Sequence, residues 1–142
     1  MIIPDLNVLI YAADADSSRH AEARAWLEAA VNGGKEEIGL PLVVSLGFLR
    51  LTTNPRVFRS PLSVDAALEW LSALRGARGV VEIQPGRAHM GILGHLLLVA
   101  GTGGNLTTDA HLAALALEND ASIATGDRDF GRFPGVKVKL LF

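Results

Sequence analysis

Short nonpolar segments alternate with longer helical patterns along the whole chain, and this alternation is the feature that most restricts its fold. The nonpolar segments have the length of buried strands, whereas the segments between them carry nonpolar residues at helical spacing. Parallel strands need such connections, because the chain must return to the far end of the sheet before the next strand begins. We therefore predict an α/β fold with a mainly parallel central sheet and helices on both faces. The predicted strands are MIIP, IGLP, VVEIQ, ASIAT and VKVKLLF.

Polar residues and glycines mark the ends of the predicted helices. A helix following Pro41 is expected to run to about Thr52, since proline suits a first helical turn. The segment RAHMGILGHLLLVA is nonpolar nearly all round, which predicts a mostly buried helix. For the other helices the predicted N-caps are Ser17 or Ser18, Ser63 and Thr108, and the predicted C-terminal glycines are Gly33, Gly34 and Gly76.

Length and composition favour one globular domain. We expect residues 1–142 to form a single domain, because a chain of 142 residues is long enough to bury a sizeable core. The net charge of −2 argues against bulk electrostatic coating of nucleic acid. The chain has no cysteine, which excludes disulfides, zinc–thiolate sites and thiol nucleophiles. The N-terminal segment does not resemble a signal peptide and the nonpolar stretch at residues 92–100 is too short to span a bilayer, so we expect a cytoplasmic protein.

Aspartates follow two of the predicted strands. Asp5 comes directly after the first strand, Asp127 and Asp129 come after ASIAT, and Asp109 opens the preceding helix. Ligand sites of open α/β sheets lie beyond the carboxyl ends of the strands, so these side chains are expected to meet at one edge. Each also has a purely structural interpretation: Asp5 as a helix cap, Asp109 as a first-turn aspartate, and Asp127 in an Asx turn.

A cluster of carboxylates favours a bound cation. Like charges raise one another's pKa, and a hard divalent ion removes that repulsion. Mg²⁺ prefers oxygen ligands and typically takes one or two carboxylates. In a chain without cysteine chemistry, such a site suits hydrolysis of phosphate esters, since the metal activates water and stabilises the leaving oxygen.

At these residues the chain resembles the PIN-domain ribonucleases, specifically the VapC-type toxins of bacterial toxin–antitoxin pairs. The similarity covers almost the whole chain and rests on PDLNVLIYA, GFLRLTTNPRVF, LTTDAHLAALAL and ATGDRDFGRF, in family order. It implies a three-layer α/β/α sandwich, endonucleolytic RNA cleavage dependent on Mg²⁺ or Mn²⁺, homodimers, and an antitoxin that blocks the site. The helices at residues 42–51 and 66–74 are the candidates for the antitoxin groove.

The resemblance also assigns roles to individual residues. Asp5, Asp109 and Asp127 fall at the family's metal-binding and catalytic acids, and Asp129 matches a frequent additional acid. Two polar neighbours that would orient these acids are Asn7 and Thr125.

One family position differs. Gly47 stands where the family usually has a glutamate. Either Asp129 completes the ligand set, or metal binding is weaker, or catalysis is lost.

Arginines and histidines are further candidates for function. Arg56 and Arg128 are the favoured contacts to RNA phosphates, because arginine binds phosphate bidentately. His89 and His95 are six residues apart and are not expected to share a metal.

Two alternatives remain. A phosphatase of the haloacid-dehalogenase type needs an Asp where this chain has Asn7, and a non-catalytic PIN-like binding module would explain Gly47.

Overall fold

The computed structural model describes all residues from Met1 to Phe142. It contains five strands, six α-helices and one short 3₁₀ helix. The elements are β1 (Ile2–Pro4), α1 (Leu6–Ala13), α2 (His20–Gly33), β2 (Ile38–Pro41), α3 (Leu42–Thr52), α4 (Val64–Arg75), β3 (Val80–Ile83), α5 (His89–Ala100), α6 (Leu106–Glu118), β4 (Ser122–Thr125), the 3₁₀ helix (Arg128–Arg132) and β5 (Lys137–Leu140).

All five strands are parallel, in the order β3-β2-β1-β4-β5, which confirms the predicted α/β/α fold. The chain leaves β1 toward β2 and β3, then returns to the other side of β1 for β4 and β5. Right-handed crossovers in opposite directions place α1–α4 on one face of the sheet and α5 and α6 on the other. The order therefore reverses between β1 and β4, which is the place where ligands bind in open α/β sheets.

Helix α6 packs closely on the centre of the sheet. Its middle residues are buried without exception, and three of them are alanines, which allow a close approach to β1 and β4. These residues are Leu112, Ala113, Ala114, Leu115 and Ala116. The tight packing fixes the position of the first turn of α6, where Asp109 lies.

The predicted N-caps were correct at one helix and wrong at two, whereas the predicted glycines Gly34 and Gly76 stand at the C-caps of α2 and α4. The hydroxyl of Ser63 accepts a hydrogen bond from the N–H of Ala66 and caps α4, as predicted. Helix α2 instead begins after Arg19, because the hydroxyl of Ser17 accepts from the backbone of Arg19 in the preceding turn. Helix α6 begins at Leu106, which places Thr108 inside the first turn.

Helix α5 is not mostly buried, contrary to the prediction. Met90, Leu98 and Val99 are 72%, 82% and 53% exposed. The helix packs mainly on α6, so only one of its faces is covered. The nonpolar composition therefore predicted the helix correctly, but the buried part of its surface is smaller than predicted. No helix of the structure is long and nonpolar enough to cross a membrane.

Candidate acidic active site

Asp5 is a buried carboxylate at the carboxyl end of the central strand. Its side chain is only 6% exposed, and its backbone N–H donates to the carbonyl of Ala124 at 2.9 Å, which ties the end of β1 to β4. Asp5 stands at the N-cap position of α1, but its carboxylate makes no capping hydrogen bond. The hydroxyl of Thr125 instead donates to Oδ2 of Asp5 at 2.8 Å. The capping interpretation of Asp5 is therefore not supported.

The Thr125 hydroxyl links two of the acids. It donates to Asp5, and it accepts a hydrogen bond from the backbone N–H of Asp127 at 2.9 Å. Oδ1 of Asp127 in turn accepts from the N–H of Asp129 at 2.8 Å, which caps the 3₁₀ helix as expected for an Asx turn. Asp127 thus has a structural role through one oxygen while it also lies beside Asp5 and Asp109.

Asp109 lies in the first turn of α6 and faces the other three acids. The pKa of Asp109 is raised from 3.8 to about 6, with burial as the largest cause and the charges of Asp5, Asp127 and Asp129 as the others. Burial likewise raises the pKa of Asp5, although the hydrogen bond from Thr125 opposes the rise. The four aspartates are close enough to repel one another, and we call them the acidic site.

The chemistry of the acidic site fits a hard divalent cation, but its side chains are not arranged around one ion. All candidate ligands are carboxylate oxygens, which suit Mg²⁺ or Mn²⁺, and a cation would offset the repulsion of Asp109 by Asp5, Asp127 and Asp129. No three His, Asp or Glu side chains of the structure are placed to hold one ion together. The carboxylates would have to turn toward a bound cation, and metal binding remains a prediction.

Two of the predicted residues differ from expectation. Asn7 is exposed and makes no side-chain hydrogen bond to the acids. No contact therefore supports the predicted role of Asn7 in orienting them. Gly47 is buried in α3, and an ideal Cβ there would lie 2.6 Å from Cδ2 of Leu6. The side chain of Leu6 thus fills the space in which a glutamate at position 47 would begin.

The favoured arginines are both exposed and form no salt bridge. Arg128 opens the 3₁₀ helix between Asp127 and Asp129, whereas Arg56 lies in the turn that follows α3. Arg128 is therefore adjacent in sequence to two residues of the acidic site. No side-chain contact in the structure tests the role of Arg56.

A second polar cluster, which the sequence did not indicate, joins α5 to α6. Nδ1 of the buried His89 lies 2.7 Å from the carboxylate of Glu118, and Nε2 lies 2.7 Å from Nδ1 of His111. Burial lowers the pKa of His111, and the neighbouring His89 lowers it further. His95 is exposed and takes no part in this cluster, and the expectation that His89 and His95 share no metal stays a prediction.

Comparison with known proteins gives a consistent family. Residues 2–136 match the PIN domain model. Ribonuclease VapC37 of Mycobacterium tuberculosis is 42% identical over 137 residues, which cover 96% of this chain and 94% of that protein. Ribonuclease VapC43 of the same species is 42% identical over 133 residues, which cover 94% and 90%.

Solved structures show the same fold at low sequence identity. VapBC2 from Rickettsia felis, crystallised with a DNA fragment from its promoter, superposes with a TM-score of 0.72 at 16% identity and covers both chains completely. FitAcB from Neisseria gonorrhoeae gives a TM-score of 0.67 at 19% identity, over 97% of this chain and 96% of that one. From the family match along nearly its whole length and the relatives above 40% identity, the chain belongs to the PIN-domain family.

Proposed function

We propose that this protein is a metal-dependent endoribonuclease that acts as the toxin of a toxin–antitoxin pair. The observation that supports it most strongly is the meeting of Asp5, Asp109 and Asp127 where the strand order reverses. The ribonuclease names of its relatives support RNA as the substrate. A cytoplasmic location and a single-domain organisation stay predictions.

Each residue of the acidic site has a separate task in this proposal. Asp5, Asp109 and Asp127 would hold Mg²⁺ or Mn²⁺, with Asp129 as the fourth carboxylate. A metal held there would supply an activated water and stabilisation of the leaving oxygen. Thr125 holds Asp5 in one orientation through its hydroxyl. Arg128 binds an RNA phosphate at the entrance, with Arg56 as a further phosphate contact.

The antitoxin is proposed to bind the groove between α3 and α4. Leu42, Leu46 and Leu68 are 54%, 55% and 48% exposed there, an unusual concentration of large nonpolar side chains at the surface. The related structures are named as VapBC and FitAB complexes, which supports a small protein partner. An arginine from that partner would fit the uncompensated carboxylates bidentately.

A homodimer is the remaining partner prediction. The uncovered face of α5 supports it, since Leu98 is the most exposed large nonpolar side chain of the protein. A second copy would cover this face without requiring any other component.

The second candidate function is a binding module without cleavage. The packing of Leu6 over Gly47 favours it, because a glutamate at position 47 would require the side chain of Leu6 to shift. Such a module would bind RNA or antitoxin equally well with and without metal.

The decisive experiment incubates purified protein with total RNA in Mn²⁺, Mg²⁺ or EDTA and maps new RNA ends. Asp5→Asn keeps the size of the side chain but removes its charge, and we expect it to lower cleavage by about 100-fold or more. Asp65→Asn is the matched control, since Asp65 is an exposed aspartate in the first turn of α4. Cleavage that persists in EDTA, or in Asp5→Asn, would contradict the proposed site.

A further inference from the structure

The ring of Phe142 lies against the turn that connects β4 to the acidic site. An ideal Cβ at Gly126 would lie 2.5 Å from Cδ2 of Phe142 and 3.3 Å from Cε2. Real Cβ atoms do not approach other atoms so closely, so the ring occupies the space in which a larger side chain would begin. Gly126 does not have a positive φ. Room for the ring, rather than backbone conformation, therefore requires glycine at this position.

Phe142 is held in this position from other sides. Tyr11 meets the ring edge-on, with centroids 5.7 Å apart and planes at 72°. The guanidinium carbon of Arg19 lies 4.7 Å from the ring centroid, within the range of a cation–π contact. The backbone N–H of Leu141 donates to the carbonyl of Thr125 at 2.9 Å and extends the pairing of β5 with β4. The contacts to Tyr11 and Arg19 favour this position of the ring over Gly126.

The turn beneath the ring is the covalent link between two functional elements. Thr125 orients Asp5 through its hydroxyl, and Asp127 follows only two residues later. Gly126 is the residue between them, and glycine has the greatest backbone freedom of any residue. Without packing by the ring, the position of Asp127 relative to Asp5 would depend on two hydrogen bonds of the Thr125 hydroxyl, one donated to Asp5 and one accepted from the N–H of Asp127.

We propose that Phe142 is a positioning residue of the acidic site, whose ring holds the turn at Gly126 and so keeps Asp127 beside Asp5. The packing role stands on the contacts of Phe142 alone, whereas its effect on catalysis rests on the proposed nuclease function. The role proposed for Phe142 is indirect, because its ring acts on the acids through the turn.

Hydrogen exchange tests the packing role without metal or RNA. The amides of Asp127 and Asp129 donate to Thr125 and Asp127, and they exchange when the turn opens. In Phe142→Ala we expect both to exchange roughly 10-fold faster, while the amide of Leu115 in α6 keeps the rate of the parent. Leu140→Ala, a truncation of a 45% exposed side chain on β5, is the control and should leave all of these rates unchanged. Unchanged exchange at Asp127 in Phe142→Ala would overturn the inference.

A second variant tests the contact from the other side. Gly126→Ala places a methyl group where the ring lies, so we expect it to displace Phe142 and to speed exchange at Asp127 as Phe142→Ala does. The double variant should be no worse than either single one, because both remove the same contact. Phe142→Tyr should behave like the parent. Additive effects of the two substitutions would show that ring and glycine act independently, and would overturn the inference.

The catalytic consequence is measured separately. In Phe142→Ala we expect the Mn²⁺ concentration at half-maximal thermal stabilisation to rise several-fold and kcat to fall by about 10-fold, with KM for RNA near that of the parent. Leu140→Ala should change none of these. A parent that neither binds Mn²⁺ nor cleaves RNA would refute the proposed function, while the exchange experiment would still decide the role of Phe142. An active parent whose Phe142→Ala variant keeps its Mn²⁺ midpoint and kcat would overturn the positioning role.

Discussion

Replacing Asp109 by asparagine should stabilise the metal-free protein at neutral pH. The folded state raises the pKa of Asp109 from 3.8 to about 6, with burial as the largest cause and the charges of Asp5, Asp127 and Asp129 as the others. A group that is harder to ionise in the folded state costs stability wherever it is ionised in both states. Asparagine has nearly the same shape and no charge, so the substitution removes this cost.

The magnitude follows from the pKa rise. A rise of about two units corresponds to roughly 3 kcal/mol at about 1.4 kcal/mol per unit. Because Asp109 is only half-buried, solvent screening reduces the relief to about 1–2 kcal/mol. The substitution also removes a favourable charge from the first turn of α6, which costs about 0.3–1 kcal/mol. We therefore expect a net stabilisation of about 1 kcal/mol at pH 7, or about 3 °C in Tm.

The pH dependence has a definite sign. Below pH 3.8 the carboxyl is protonated in both states and costs nothing, and the penalty grows as the pH rises toward about 6, above which it is constant. The stabilisation by Asp109→Asn should therefore be largest above pH 6. It should shrink as the pH falls and nearly vanish near pH 4, because the carboxyl of the folded parent is then uncharged and has no charge to lose at the helix terminus.

Thermal melts of parent and variant in EDTA at pH 4, 5, 6 and 7, at constant ionic strength, measure this difference. Asp65→Asn is the control, since it removes an exposed first-turn charge from α4, outside the acidic site, and should be neutral or slightly destabilising. The reasoning would be refuted if Asp109→Asn lowered Tm at pH 7 as much as Asp65→Asn does. It would also be refuted by a stabilisation that is equal at pH 4 and pH 7.

Three further predictions concern other parts of the molecule. Gly47→Glu should destabilise the protein, because the new Cβ meets the side chain of Leu6. The double variant Gly47→Glu with Leu6→Ala should fold and reach half-maximal activity at a lower Mn²⁺ concentration than the parent. An unchanged Mn²⁺ requirement in the double variant would exclude position 47 as a ligand position. Leu46→Asp should abolish co-purification with the antitoxin while the free protein keeps its RNA cleavage, and retained binding would place the partner elsewhere. Leu98→Asp should yield a monomer in sedimentation velocity with an unchanged circular dichroism spectrum, and a persistent dimer would show that α5 is not the interface.

The sequence alone predicted the architecture and the approximate place of the site. Strand–helix alternation is a local property of the chain, and parallel connection follows from chain geometry without knowledge of any contact. The position of Asp5 directly after β1, and of Asp127 two residues after β4, was sufficient to bring them to one edge of the sheet. The Ser63 cap was also predictable, since a cap is a contact between residues close in sequence.

Only the tertiary structure decided which distant side chains share a space. Leu6 lies over Gly47 and Phe142 over Gly126 because elements far apart in the chain pack together, and no local pattern records that proximity. Helix α5 shows the same limit, since its nonpolar residues mark a helix but do not say that only α6 covers it. The pKa of Asp109 depends likewise on burial and on charges brought together from three segments. Periodicity and turns depend on residues that are close in sequence, whereas packing depends on residues from every part of the chain.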